Sequence, residues 1–218
     1  MTNESSTPLP DSAYRITSHE ILALLSFNSG PEIDLSRKAL GLAELPEDSD
    51  LVRAGVGTLN IRGSIHREGE DIALQGDAEV IARILASARS WYQVARLGPA
   101  AALPTYVVES PGARAAFFLQ PLSEYICLPL RDDIDLADFV EQLVDGAVAE
   151  AQAAGAGVIT SQHWTPGAEP VVANIKVADG EPALLAALPL AADGQLTVRE
   201  LGDTTAGAAV AAAFRTAP

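Results

Sequence analysis

The sequence predicts an α+β protein built on a mainly antiparallel sheet. Helical periodicity is confined to a few capped segments, and the strand-like segments come in runs instead of alternating strictly with helices. The strong short turns Asp179-Gly180 and Asp193-Gly194 are of hairpin type. A chain of 218 residues fits one large unit or two small ones. At this length folding buries roughly 70% of the unfolded surface, so no disulfide or metal is needed for stability.

Residues 1–14 read as a disordered tail. The first helix begins at Thr17, where Thr17 and Glu20 have capping-box spacing and Ile16 and Ile21 occupy the positions of a hydrophobic staple. Gly30-Pro31 is read as its end. From 32 to 47 two readings stay open, a strand or a short helix followed by a loop. Asp48-Ser49-Asp50 caps a second helix, ended by Gly63 at C′. Gly55 and Gly57 each cost that helix about 1 kcal/mol relative to alanine, so their presence predicts a close neighbouring backbone. Ser64–Leu74 is a hairpin turning near Gly69. Asp77 is the expected cap of a third helix carrying Val80, Ile81, Ile84, Leu85 and Ala88. Trp91–Leu97 is extended.

The Ala- and Pro-rich stretch Gly98–Pro104 separates an N-terminal half, 15–97, from a C-terminal half, 105–218, the two packed as one unit. The second half opens with strands at 105–109, 115–120 and 125–130, with Pro129 marking an edge or a strand end. Asp135 caps a long helix to about Ala154, stopped by Gly155-Ala156-Gly157. Strands follow at 158–160, 171–178, 184–190 and 196–201. Asp203 or Thr204 caps a last alanine-rich helix.

Composition narrows the function classes. Fourteen Lys and Arg face 29 Asp and Glu, a formal net charge of −15. Nucleic-acid affinity comes largely from cationic neutralisation of phosphate, so a nucleic-acid partner is not expected. An anionic membrane surface is disfavoured for the same reason, and no apolar run is long enough to span a bilayer. Arg37-Lys38 is the largest basic cluster. A lone cysteine, Cys127, fits a reducing compartment. With no signal-peptide pattern at the N-terminus, a cytoplasmic location is expected.

Reactive constellations are not evident. His19, His66 and His163 are the only histidines, and they lack zinc spacing and a nucleophile–base–orienter pattern. Cys127, between Ile126 and Leu128 in a strand, reads as core. Gly55-Val56-Gly57 and Gly155-Ala156-Gly157 lack the third glycine and the strand-to-helix context of a dinucleotide loop. Asp132-Asp133-Ile134-Asp135 lacks calcium-loop register and reads as helix capping plus solvation. Residues 48–85 could form a winged-helix unit, but that recognition helix offers only Arg53 and Arg62, and the wing is acidic. No catalytic residue, cofactor or metal is therefore expected.

The sheet of the second half is the candidate functional surface. Tyr106 to Val108, Ala115 to Leu119 and Tyr125 to Leu128 are apolar on both alternating faces, and such a sheet must be covered twice. Either the chain's own helices cover both faces, or one face or edge receives a partner. On the second reading Tyr106, Phe117, Phe118 and Tyr125 are the candidate partner-binding residues. Two alternatives are a small-molecule-responsive regulator or carboxylate-site enzyme, using acids such as Asp132, Asp133 and Asp138 in a closed pocket, and a homodimer formed by the sheet edge pairing with itself.

The order of elements resembles one known family. A capping-box helix over Ile16–Leu25, a helix from Ala54 ending at Arg62-Gly63, the Ile65–Leu74 hairpin and the Asp77–Trp91 helix leading into a strand are similar to the EspG family. So is the opening of the C-terminal helix at Asp203-Thr204-Thr205-Ala206-Gly207. These proteins are actinobacterial cytosolic chaperones of the ESX (type VII) secretion systems. The resemblance implies two related α/β halves around a central antiparallel sheet. It also implies non-catalytic binding of the helical tip of PE–PPE-type secretion substrates. It covers most of the chain as a pattern of elements and assigns no individual binding residue.

Overall fold

The structure, a computed structural model, describes residues 10, 12–46, 49–68, 71–99 and 101–216. Its frame is a nine-stranded antiparallel sheet in the order β1-β7-β6-β5-β4-β8-β9-β10-β11. The strands are β1 (Tyr14–Thr17), β4 (Ser90–Leu97), β5 (Ala102–Ser110), β6 (Ala113–Gln120), β7 (Glu124–Pro129), β8 (Ala156–Trp164), β9 (Val171–Ala178), β10 (Leu184–Leu190) and β11 (Leu196–Glu200). A separate hairpin pairs β2 (Ile65–Glu68) with β3 (Asp71–Leu74); its expected turn at Gly69 lies outside the described residues. The helices are α1 (Ser18–Ser26), α2 (Pro31–Ala39), α3 (Asp50–Ile61), α4 (Asp77–Ala86), α5 (Leu136–Ala153) and α6 (Ala206–Thr216). The α+β class and the mainly antiparallel sheet are as the sequence predicts.

The capping box forms. Glu20 N–H donates to Thr17 Oγ1, and the Thr17 N–H donates to Glu20 Oε2 at 2.8 Å. Ile16 and Ile21 are both buried, closing the staple. Gly30-Pro31 opens a helix instead of ending one: Pro31 stands at the start of α2, where its missing N–H costs nothing. That settles the described part of the segment, 32–46, as a helix followed by a loop. Buried Arg37 ties the loop down by donating to the Leu45 carbonyl. Two expected caps shift by a residue or more. Asp77 is the first residue of α4, after Gly76, and α6 is capped by Thr205, whose Oγ1 accepts from Ala208 N–H. Asp135 does cap α5, accepting from Ala137 and Asp138 N–H.

The expected boundary at Gly98–Pro104 falls inside the sheet, its last residues, Ala102–Pro104, belonging to β5. Strand β4 pairs directly with β5, and between them Ala101 N–H donates to Gly98 O. The core divides elsewhere. One cluster lies between α1–α4 and the face of β1, β7, β6, β5 and β4 that carries Ile16, Tyr125, Cys127, Phe117, Ala115, Tyr106, Val108 and Trp91. Trp91 Nε1 donates to Ser36 Oγ at 3.1 Å, and Ser36 Oγ donates to Leu85 O at 2.7 Å, locking α2, β4 and α4 together. The second cluster lies on the opposite face of the sheet, between α5 and α6 and Val94, Ile159, Ala173, Ile175, Val177, Leu185 and Ala187. Each group of helices thus covers one face of one half of the sheet.

Candidate protein-binding surface

Pleat parity decides which side chains remain available. Side chains alternate between faces, and the pairing puts Tyr106 opposite Phe117, Phe117 opposite Cys127, and Tyr125 opposite Leu119 and Ile16. That parity points under α1–α4. Tyr106, Phe117 and Tyr125 are therefore core residues, each buried, with Phe117 in ring contact with Trp91 and Tyr125. Their expected role as contact surface is corrected on that ground: the N-terminal helices already cover them. Burial holds the phenols of Tyr106 and Tyr125 above their ordinary range and pushes the Cys127 thiol up to about 12, Asp77 adding to the effect.

Phe118 has the other parity. It lies in a row that crosses the second face as Ser161, Val94, Thr105, Phe118, Ile126 and Arg15. On this face α5 lies over β4, β8 and β9, and α6 over β9 and β10. No described helix is laid over β6 and β7 here, and Phe118, Ile126 and Leu128 are only half-buried. One row lower, Val107 and Ala116 are small and sealed. There the 130–135 connection is pinned to the sheet by Arg114, which donates to the carbonyls of Ile134 at 2.7 Å and Asp132 at 3.3 Å.

The result is a trough with one wall. The wall is the flank of α5 that carries Leu143, Gly146, Ala147 and Glu150, one and two turns apart. Between that flank and β4–β5 lies a cleft of about 310 Å³, lined also by Val94, Arg96, Leu103 and Thr105. Leu103, at the lip, is 49% exposed. The end of the trough near the α5 N-terminus is acidic. Glu109, Asp132, Asp133 and Asp135 line a depression there with Arg114 and Tyr92, and Asp138 is exposed one turn into the helix. Arg114 pairs with Glu109 and Arg131 with Asp133; Asp132 and Asp138 make no ion pair among the described residues. At the far end the charges pair off, Arg96 with Glu150 and Arg15 with Glu124.

A second helix-free area is the opposite face of β9–β11, where Leu190 pairs with Leu196 and Ala186 with Val198. Leu190 and Val198 are 56% and 59% exposed.

Of the remaining sequence candidates, the three histidines do not line the trough, whereas Asp132, Asp133 and Asp138 stand at its acidic end. His19 Nε2 lies 3.1 Å from Thr17 Oγ1 at the start of α1. His66 is exposed on β2. His163 stacks on Tyr92, centroids 4.3 Å apart, and touches Phe214 of α6. Burial lowers its pKa, against an opposing pull from Glu109. Asp132, Asp133 and Asp138 are all exposed, so they do not form the closed acid pair a carboxylate-site enzyme would use. Among the described residues no three His, Cys, Asp or Glu side chains are grouped to hold a metal ion, and no helix is long and apolar enough to cross a membrane.

No family model matches the chain, and no curated protein matches it at a significant level. Sequence reasoning missed the α5 wall because nothing local marks it. Phe118 was legible as an apolar strand residue, but its side of the sheet depends on where the helices settle.

Proposed function

We propose that this chain is a non-catalytic protein-binding module that shields an apolar helix of a partner protein. The observation that carries the reading is the trough: Phe118, Ile126 and Leu128 face outward on a part of the sheet over which no described helix lies. A sheet face of this kind is normally covered by a helix, and a walled groove suits a rod-shaped element better than a flat one. The resemblance of the sequence's order of elements to the EspG family suggests a more specific version, in which the module is a cytoplasmic chaperone and the covered helix is the tip of a PE–PPE-type secretion substrate. Its acidic surface is compatible with a protein partner and works against nucleic acid or anionic lipid.

The test is recovery of a binding partner from the native cell with the intact protein and with Phe118→Glu. The partner is expected to be held by the first and lost by the second, and the amides of β6 and β7 to gain exchange protection in the complex. Equal recovery by both proteins, or protection confined to another surface, refutes the reading.

A further inference from the structure

We infer that the helix received by the trough is cationic on its polar face and crosses α5 at Gly146; this rests on the trough being the binding surface. The first argument is charge. Around the α5 N-terminal end of the trough stand the carboxylates of Glu109, Asp132, Asp133, Asp135 and Asp138, against the guanidinium groups of Arg89, Arg114 and Arg131. The far end is neutral through its two ion pairs. An apolar stripe laid over Thr105, Phe118 and Ile126 therefore has an excess of negative charge along one flank, two rows on at the level of Glu109 and Arg114. Lysine or arginine there is attracted, and glutamate or aspartate repelled. The chain as a whole, at −15, reinforces the preference.

The second argument is shape. Gly146 lies on the cleft side of α5, between Leu143 and Glu150. A Cβ built on it would meet nothing within 4 Å. Its missing side chain thus serves no packing within the chain, though a mid-helix glycine costs about 1 kcal/mol. It leaves a notch in the wall next to the cleft, where another helix can approach its backbone closely.

The probes are two labelled synthetic amphipathic helices of 18 residues, the length of α5. They share one leucine–alanine stripe and differ in a lysine or a glutamate polar face. Binding is read by fluorescence anisotropy on the full chain. The lysine-faced helix is expected to bind at least about tenfold more tightly, with the preference shrinking as salt rises. D132N/D138N should narrow the preference. Gly146→Leu should weaken the lysine-faced helix by about tenfold or more without changing the protein's charge. Phe118→Glu should abolish its binding even though it makes the protein more acidic, which separates docking in the trough from diffuse attraction. Circular dichroism checks that each variant folds. Equal affinity for the two helices overturns the charge inference, and indifference to Gly146→Leu overturns the crossing point; in both cases the trough reading stands if Phe118→Glu still abolishes binding. Binding of neither helix, or binding indifferent to Phe118→Glu, overturns the trough reading and this inference together.

Discussion

Replacing Gly55 and Gly57 of α3 by alanine should move stability in opposite directions. Gly55 is buried where α3 crosses α1. A Cβ there would overlap the His19 carbonyl oxygen, and would sit 2.6 Å from its carbonyl carbon and 2.8 Å from the Ala23 Cβ. Two of those three atoms are backbone, so no rotamer change relieves the clash and the helices must part. Overpacking of this kind costs about 1–3 kcal/mol, and a backbone obstacle places it toward the upper end. Alanine returns about 1 kcal/mol of helix propensity, leaving a net loss of about 2 kcal/mol. Gly57, two residues on, is exposed and its Cβ would meet nothing within 4 Å. Only the propensity term acts there, so Gly57→Ala should gain up to about 1 kcal/mol. Urea unfolding followed by far-ultraviolet circular dichroism reads both, as midpoint shifts at constant slope. A neutral or stabilising Gly55→Ala, or equal shifts for the two variants, refutes the claimed helix contact.

Glu20→Ala should cost about 2 kcal/mol by the same assay, because it removes the acceptor for the Thr17 N–H and the buried partner of Arg62, 3.4 Å away; a loss no larger than that of an exposed alanine substitution would contradict the role assigned to it. Stability should fall on both sides of neutrality. On the acid side, the folded pKa of His163 is depressed, so the unfolded chain takes up its proton first and stability drops as pH falls through about 6.5; His163→Phe should flatten that limb, and an unchanged limb counts against it. On the alkaline side, the raised pKa of Cys127 means the unfolded chain loses its proton first, so its contribution drops from about pH 9 toward 12. The same burial should keep Cys127 silent to thiol reagents until the protein unfolds, and rapid labelling of the native state would refute that.

What could be read in advance was what is local. The Thr17–Glu20 box, the Asp135 cap and Gly63, with its positive φ of 69°, are decided within a few residues, and each stands where the sequence puts it. What could not be read depends on distant chain. Strand β1 has only Tyr14–Thr17, too few residues to show alternation, and exists because β7 pairs with it. Strand β8 runs on to Trp164 through Ser161, Gln162 and His163, a polar stretch held in the sheet by β4 on one side and β9 on the other. The site shows the same division. That Phe117 and Phe118 face opposite ways follows from the pleat alone; which of them is sealed follows from α1–α4 folding back over one face, a choice the strand itself does not encode.

The glycines turn that division into a functional argument. Gly55 and Gly207 sit where another helix's backbone leaves no room for a Cβ, His19 of α1 in one case and Glu141 of α5 in the other. Their propensity cost is offset inside the fold. Gly57 and Gly146 have no such offset, since a Cβ at either would touch nothing. Lack of an internal neighbour therefore does not by itself mark a docking point. What separates the two is what surrounds them: Gly57 is on the open side of α3, whereas Gly146 lines a cleft continuous with the apolar row of Thr105, Phe118 and Ile126. Adding a side chain at 57 should change stability alone, and adding one at 146 should change binding, because only at 146 does the vacant space adjoin a surface to which another helix can be held.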